Sequence, residues 1–160
     1  MRVIVGIDES DESLYALEWA TNNLFNGEPN LVTLVHVHPP SKRYGVSPSA
    51  IPAGPGVTAF PSTGVVDSER RAEEQISAAV LSRALEMCSN KVKAETLIVE
   101  GDPKDMLCEI SEQMKVDLLI VGSRGLGRIK RAFLGSVSDY CAHHAKCPTL
   151  IVKPPTKDLS

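Results

Sequence analysis

Short apolar, β-branched runs alternate along the chain with segments of helical period. Residues 3–7, 31–38, 94–99, 118–121 and 149–152 are mostly apolar on successive positions rather than on alternate ones. That is the pattern of strands covered on both faces. Between the first two runs, Leu14, Ala16, Leu17, Ala20 and Leu24 recur at helical spacing, with Tyr15 and Trp19 beside them. Ser10 or Asp11 can cap that helix and Gly27 can stop it. A second helix is predicted from residue 67 to about 90, with Ile76, Ala79, Val80, Leu81, Ala84, Leu85 and Met87 as its apolar face. A third opens at Gly101-Asp102-Pro103, where Asp102 caps and Pro103 takes the first helical position, and runs through Leu107 and Ile110 toward Met114. A fourth starts at Gly135-Ser136 and ends before Lys146.

The order of elements is βαβ, loop, αβαβαβ, with five strands. Right-handed crossovers between parallel neighbours put helices on both faces of one sheet. The predicted class is a doubly wound parallel α/β fold, in which ligands sit outside the carboxyl ends of the strands at a switch point. One connection is exceptional. Residues 39–66 contain Pro39, Pro40, Pro48, Pro52, Pro55 and Pro61 with Gly45, Gly54, Gly56 and Gly64, too many breakers for a regular element. A connection of that length is a lid, a binding loop or a mobile insert. Residues 154–160, opened by Pro154-Pro155, read as a frayed tail after one domain over 1–153.

Composition narrows the class without changing it. The chain has 160 residues, 42% apolar and 23% charged, which suits one soluble domain with a real core. A net charge of -3 leaves no electrostatic footprint for general nucleic-acid binding. The apolar run before Asp8 and Glu9 is shorter than a signal-peptide core, and no stretch reaches the ~20 apolar residues of a membrane span. Cys88, Cys108, Cys141 and Cys147 are therefore expected to be free thiols in a cytoplasmic protein, one small enough to reach the nucleus as well.

The candidate chemistry follows the fourth strand. The segment from Gly122 to Ser138 has no Gly-Lys-Ser/Thr for a Walker loop. It also fails the dinucleotide fingerprint, because after Gly125 and Gly127 the third glycine would fall on Lys130. The ingredients of a phosphate cradle are present nonetheless. Gly122 and Gly125 lie just past a strand end, where backbone N–H groups can approach an anion. Gly135-Ser136 opens a helix whose first N–H groups form a second anion site. Ser136 and Ser138 can add hydroxyl donors, and Arg124, Arg128, Lys130 and Arg131 raise the local positive potential. Turn glycines beside a solvated basic run would look the same. Cys141-x-His143-His144-x2-Cys147 lacks the Cys-x2-Cys element of a zinc site and reads as a packed cysteine beside exposed histidines. His36 and His38 flank Val37, either lining a site or satisfied structurally, while Cys88 and Cys108 read as helix-packing residues. No Ser–His–Asp order stands out.

Gly122-x2-Gly125-x9-Gly135-Ser136 resembles the nucleotide motif of the universal stress protein family. The opening from Val3 to Ser10, Val35-His36-Val37, Asp117 to Gly125, Gly135-Ser136-Val137-Ser138 and Cys147 to Val152 are similar to that family in order and spacing. The stretch from Leu134 to Cys141 is especially similar to single-domain plant members. The resemblance implies a fold like that of the adenine nucleotide α-hydrolases, with strand order 3-2-1-4-5, and an ATP-binding subclass, since every motif position is kept. It implies that Asp8, preceded by Ile7, touches ribose or adenine, and that Val37 offers backbone groups to adenine. Gly122, Ser123, Arg124 and Gly125 would surround ribose and phosphate, and Gly135, Ser136, Val137 and Ser138 would hold the phosphate chain. The implied ligand is ATP or AMP, with Mg²⁺ accompanying a triphosphate and no resident metal site. The implied protein is a stress-response or signalling module that dimerises through its last strand, with a slow ATP hydrolase or a chaperone-like protein as alternatives.

Overall fold

A computed structural model describes residues 1–27, 29–40, 63–124 and 135–155. The elements are β1 (Arg2–Gly6), α1 (Asp11–Asn23), β2 (Leu31–His38), α2 (Thr63–Cys88), β3 (Lys93–Glu100), α3 (Pro103–Gln113), β4 (Leu118–Gly122), α4 (Ser136–His144) and β5 (Thr149–Val152). The strands form one five-stranded sheet in the order β3-β2-β1-β4-β5, and every neighbouring pair is parallel.

Successive strand side chains point to opposite faces, so each apolar run supplies two cores at once. On one face Val3, Val5, Val32, Leu34 and Ile120 pack with Ala16, Leu17 and Ala20 of α1 and Leu81, Ala84 and Cys88 of α2. On the other, Ile4, Val35, Leu119 and Val121 pack with Leu107 and Ile110 of α3 and Cys141 of α4. Ile4, Leu17, Leu34 and Leu119 are completely buried, each contributing roughly 1.5–3 kcal/mol of hydrophobic stabilisation. The two edges differ in their apolar content. In β3 only Ala94, Leu97 and Val99 are even half-buried, leaving Lys93, Glu95, Thr96, Ile98 and Glu100 exposed.

Local chemistry sets the helix ends. Ser10 caps α1, its Oγ accepting the Ser13 N–H at 3.2 Å. Gly27, at φ +89°, turns the chain toward β2 in a conformation that L side chains avoid. Asp102 caps α3 by accepting the Lys104 N–H at 3.2 Å, with Pro103 opening the helix. α4 starts at Gly135 with no side-chain cap. One boundary departs from the sequence reading: α2 begins at Thr63, inside the breaker-rich stretch. Pro61 precedes the helix and Gly64 falls in its first turn, where a breaker interrupts little of the hydrogen-bond ladder. Most of the rest of that stretch lies outside the described residues.

Strands β1 and β2 and strands β4 and β5 diverge in opposite directions from the centre of the sheet. The crevice at the carboxyl ends of β1 and β4 is therefore the switch point.

Candidate functional site

At the end of β1, the Ile7 N–H donates to the Val35 carbonyl at 2.8 Å before the chain leaves the sheet. Asp8 makes the turn into α1. Its N–H donates to Ser13 Oγ at 3.1 Å. Its Oδ1 accepts the Ser10 N–H at 2.8 Å and the Ser10 hydroxyl. One carboxylate oxygen therefore organises the start of α1. A carboxylate has two, so this turn role and a role toward a ligand hydroxyl are compatible.

Val37 is set by the alternation of a parallel ladder. Val35 turns its carbonyl toward β1, whereas His38 turns its carbonyl toward the β3 side and accepts the Gly101 N–H at 2.9 Å. Val37 shares the orientation of Val35, so its main-chain groups face the space that β1 vacates after Ile7. His36 is structural. Its Nδ1 lies 2.8 Å from the Ile7 carbonyl, and since a carbonyl only accepts, Nδ1 carries the proton.

The two glycine bends are joined through Ser123. The Ser123 N–H donates to Val152 at 3.0 Å, fixing the end of β4 against β5. The Ser123 carbonyl accepts the Gly135 N–H at 2.7 Å and lies 3.0 Å from Ser138 Oγ. The bend after β4 and the start of α4 are thus one unit. Two expectations change in detail. A Cβ on Gly122 would lie 2.9 Å from the Glu12 backbone, so the close approach of α1 is what demands glycine there, whatever an anion requires. Ser138 is 1% exposed, and its single hydroxyl proton is shared between the carbonyls of Ser123 and Gly135, each at 3.0 Å. It braces the bend from beneath and is not a side-chain donor to a phosphate. Ser136, by contrast, is exposed.

The amides of Ser136, Val137 and Ser138 open α4 without a capping side chain, the arrangement that concentrates positive potential at a helix start. Arg124 follows Ser123 and is half-buried. Gly125, Arg128, Lys130 and Arg131 lie outside the described residues.

Cys141 is fully buried, and burial is the main cause that pushes its thiol up to about 12. The expected separation of this cysteine from the histidines holds: His143 and His144 are exposed, and the His144 ring stacks on Tyr140 with centroids 4.2 Å apart. Among the described residues no group of three His, Cys, Asp or Glu side chains could hold a metal ion. Sequence reasoning missed the meeting of Cys108 with Cys141, whose sulfurs are 3.8 Å apart.

The universal stress protein family model matches residues 1–153. The chain belongs to the universal stress protein family. Universal stress protein YxiE of Bacillus subtilis (strain 168) is 30% identical to it, over 95% of this chain and 98% of that protein. Universal stress protein PHOS34 of Arabidopsis thaliana is 31% identical over 96% of this chain, which spans only 62% of that relative. Among solved structures, universal stress protein UspA from Lactobacillus plantarum is similar in fold, with a TM-score of 0.74 at 20% identity, covering 95% of this chain and 97% of that one. An Arabidopsis thaliana family member with AMP bound has a TM-score of 0.65 at 24% identity, covering 100% and 96% of the two chains. A universal stress protein in complex with cAMP has a TM-score of 0.58 at 26% identity, covering 96% of each.

Proposed function

We propose that this universal stress protein binds an adenine nucleotide at the switch point, as a stress-response or signalling module. The observation that carries the reading is the hydrogen bond from Gly135 to Ser123, which holds the uncapped start of α4 against the end of β4. The cAMP complex of a relative and the AMP complex of an Arabidopsis protein support the choice of ligand class. In this reading the adenine lies beside Ile7 and meets the main-chain N–H and carbonyl of Val37, since both main-chain groups of Ile7 are already bonded. Asp8 receives a ribose hydroxyl on the oxygen that the α1 turn does not use. Gly122, Ser123, Arg124 and Gly125 flank the ribose and first phosphate, and Gly135, Ser136, Val137 and Ser138 surround the phosphate chain, with the amides of the last three as donors. Gly135 contributes by position, because its N–H already serves the bend, and Ser138 contributes its amide alone, because its hydroxyl is bound to the same bend.

AMP and ATP are the ligands to test, with Mg²⁺ accompanying ATP through its phosphates. Protein purified without added nucleotide is expected to release AMP or ATP on denaturation, identified by mass. Stripped protein is expected to gain thermal stability with adenine nucleotides and not with GTP, since a ligand selective for the native state raises Tm by mass action. A stripped, folded protein indifferent to all adenine nucleotides would overturn the reading.

The proposal extends to assembly. β5 lies at the sheet edge, bonded to β4 on one side, with Leu150 and Ile151 only half-buried. An open apolar edge is a template for pairing, and a second copy of this chain is the proposed partner. Light scattering at micromolar concentration is expected to give a dimer mass; a monomer with and without nucleotide contradicts it.

A further inference from the structure

Two thiols meet on the inner side of α4, in the apolar layer that seats α3 and α4 on the sheet. Cys141 of α4 is completely buried there, and Cys108 of α3 packs against the same cluster from a half-buried position. Their sulfurs are 3.8 Å apart. Sulfurs at that distance are in van der Waals contact, and a disulfide needs them at ~2.05 Å. Cys147, ahead of β5, joins the cluster from its own half-buried position, whereas Cys88 lies in the opposite core. Geometry thus singles out one pair from four free thiols.

We propose that Cys108 and Cys141 form a reversible dithiol–disulfide pair, oxidised by a hydroperoxide, that staples α3 to α4. In the first step the Cys108 thiolate attacks one peroxide oxygen. An S–O bond forms, the O–O bond breaks, and the leaving oxygen departs as water (or alcohol) after taking up a proton. Cys108 is now a sulfenic acid. In the second step the Cys141 sulfur attacks the Cys108 sulfur. The S–S bond forms, the S–O bond breaks, and hydroxide leaves with the Cys141 proton as a second water. Two thiols have lost two electrons and two protons, and hydrogen peroxide has been reduced to two waters. An external dithiol reverses the change by exchange through a mixed disulfide.

Burial assigns the roles. Desolvation raises both thiols, Cys141 to about 12 and Cys108 also above its ordinary value. The more accessible Cys108 attacks the oxidant and the sealed Cys141 resolves it. The reaction is accordingly slower than that of an exposed, low-pKa thiol. The staple encloses β4 and the bend that leads into α4. Cys141 lies one helical turn beyond Ser138, whose hydroxyl braces that bend, so oxidation tightens the foundation of the α4 start.

The test uses the purified full chain, treated with hydrogen peroxide under native conditions, alkylated and digested. The expected result is the loss of two hydrogens in intact mass, a cross-linked Cys108–Cys141 peptide, reversal by dithiothreitol, and a Tm rise on the order of 10 °C. Cys147→Ser is expected to keep the cross-link, and Cys108→Ser and Cys141→Ser to lose it. Should Cys141→Ser fail to fold, Cys108→Ser at its half-buried position carries the test alone. A cross-link through Cys147 or Cys88, one between chains, or sulfinic acid without any cross-link would overturn the proposal.

Discussion

The starts of α1 and α4 flank the same rim of the sheet, and the chain finishes them in opposite ways. At α1 the supply of acceptors is generous. Ser10 takes the Ser13 N–H, Asp8 organises the turn, and Asp11 and Glu12 bring acidic charge to the first turn. At α4 Asp139 is the acidic residue of the first turn, but the N-cap is a glycine without a side-chain acceptor, and the nearby Ser138 hydroxyl turns inward to bind carbonyls. The helix start that the chain completes itself serves folding. The other has no side-chain cap of its own, and the proposed nucleotide site uses that opening. α3 belongs with α1, since Asp102 caps it and also reaches Lys104 Nζ at 2.7 Å.

Changing either end tests the contrast. The largest effect is expected where the two ends touch. Gly122→Ala drives a methyl against the Glu12 backbone, and overpacking against main chain costs roughly 1–3 kcal/mol. A lower urea midpoint with an unchanged slope is the expected result. Gly135→Asp gives α4 the acceptor it lacks. The extended backbone at Gly135, φ -63° and ψ 159°, admits the substitution. Stability is expected to hold or rise slightly, while adenine-nucleotide affinity falls about tenfold through competition and repulsion at the helix start. Ser10→Ala removes the α1 cap and is expected to cost about 1 kcal/mol by chemical denaturation. The smallest effect concerns acid. A hydrogen bond from Lys104 is the main cause that holds the Asp102 carboxyl below 3.8. Its stabilisation is complete above the ordinary carboxylate value and disappears as pH falls through the lower folded value. Asp102→Asn is therefore expected to flatten the acid limb of the stability–pH profile and leave neutral pH little changed.

Much of this architecture is legible in the chain. Apolar residues on successive strand positions announce coverage of both faces, and Ser10, Asp102-Pro103 and Gly135-Ser136 mark helix starts that the structure keeps. The strand order is another matter. Periodicity does not say which strand neighbours which, and that expectation came from the family resemblance. What sequence alone could not supply are contacts between distant segments. The demand for glycine at 122 comes from the backbone of Glu12. The inward turn of Ser138 depends on the Ser123 carbonyl. The pairing of Cys108 with Cys141 needs α3 and α4 side by side on one face. His36 could have lined a site; its bond to the Ile7 carbonyl shows a structural use. The early start of α2 was hidden because proline and glycine nearby dominate the local pattern.

The most direct measurement is calorimetric titration of the nucleotide-stripped wild type and of Gly135→Asp with AMP, ATP and GTP. The account predicts saturable binding of an adenine nucleotide by the wild type, no comparable binding of GTP, and about tenfold weaker binding by a variant of at least equal stability. Equal affinities in the two proteins, or a folded wild type that takes up no adenine nucleotide, would contradict it.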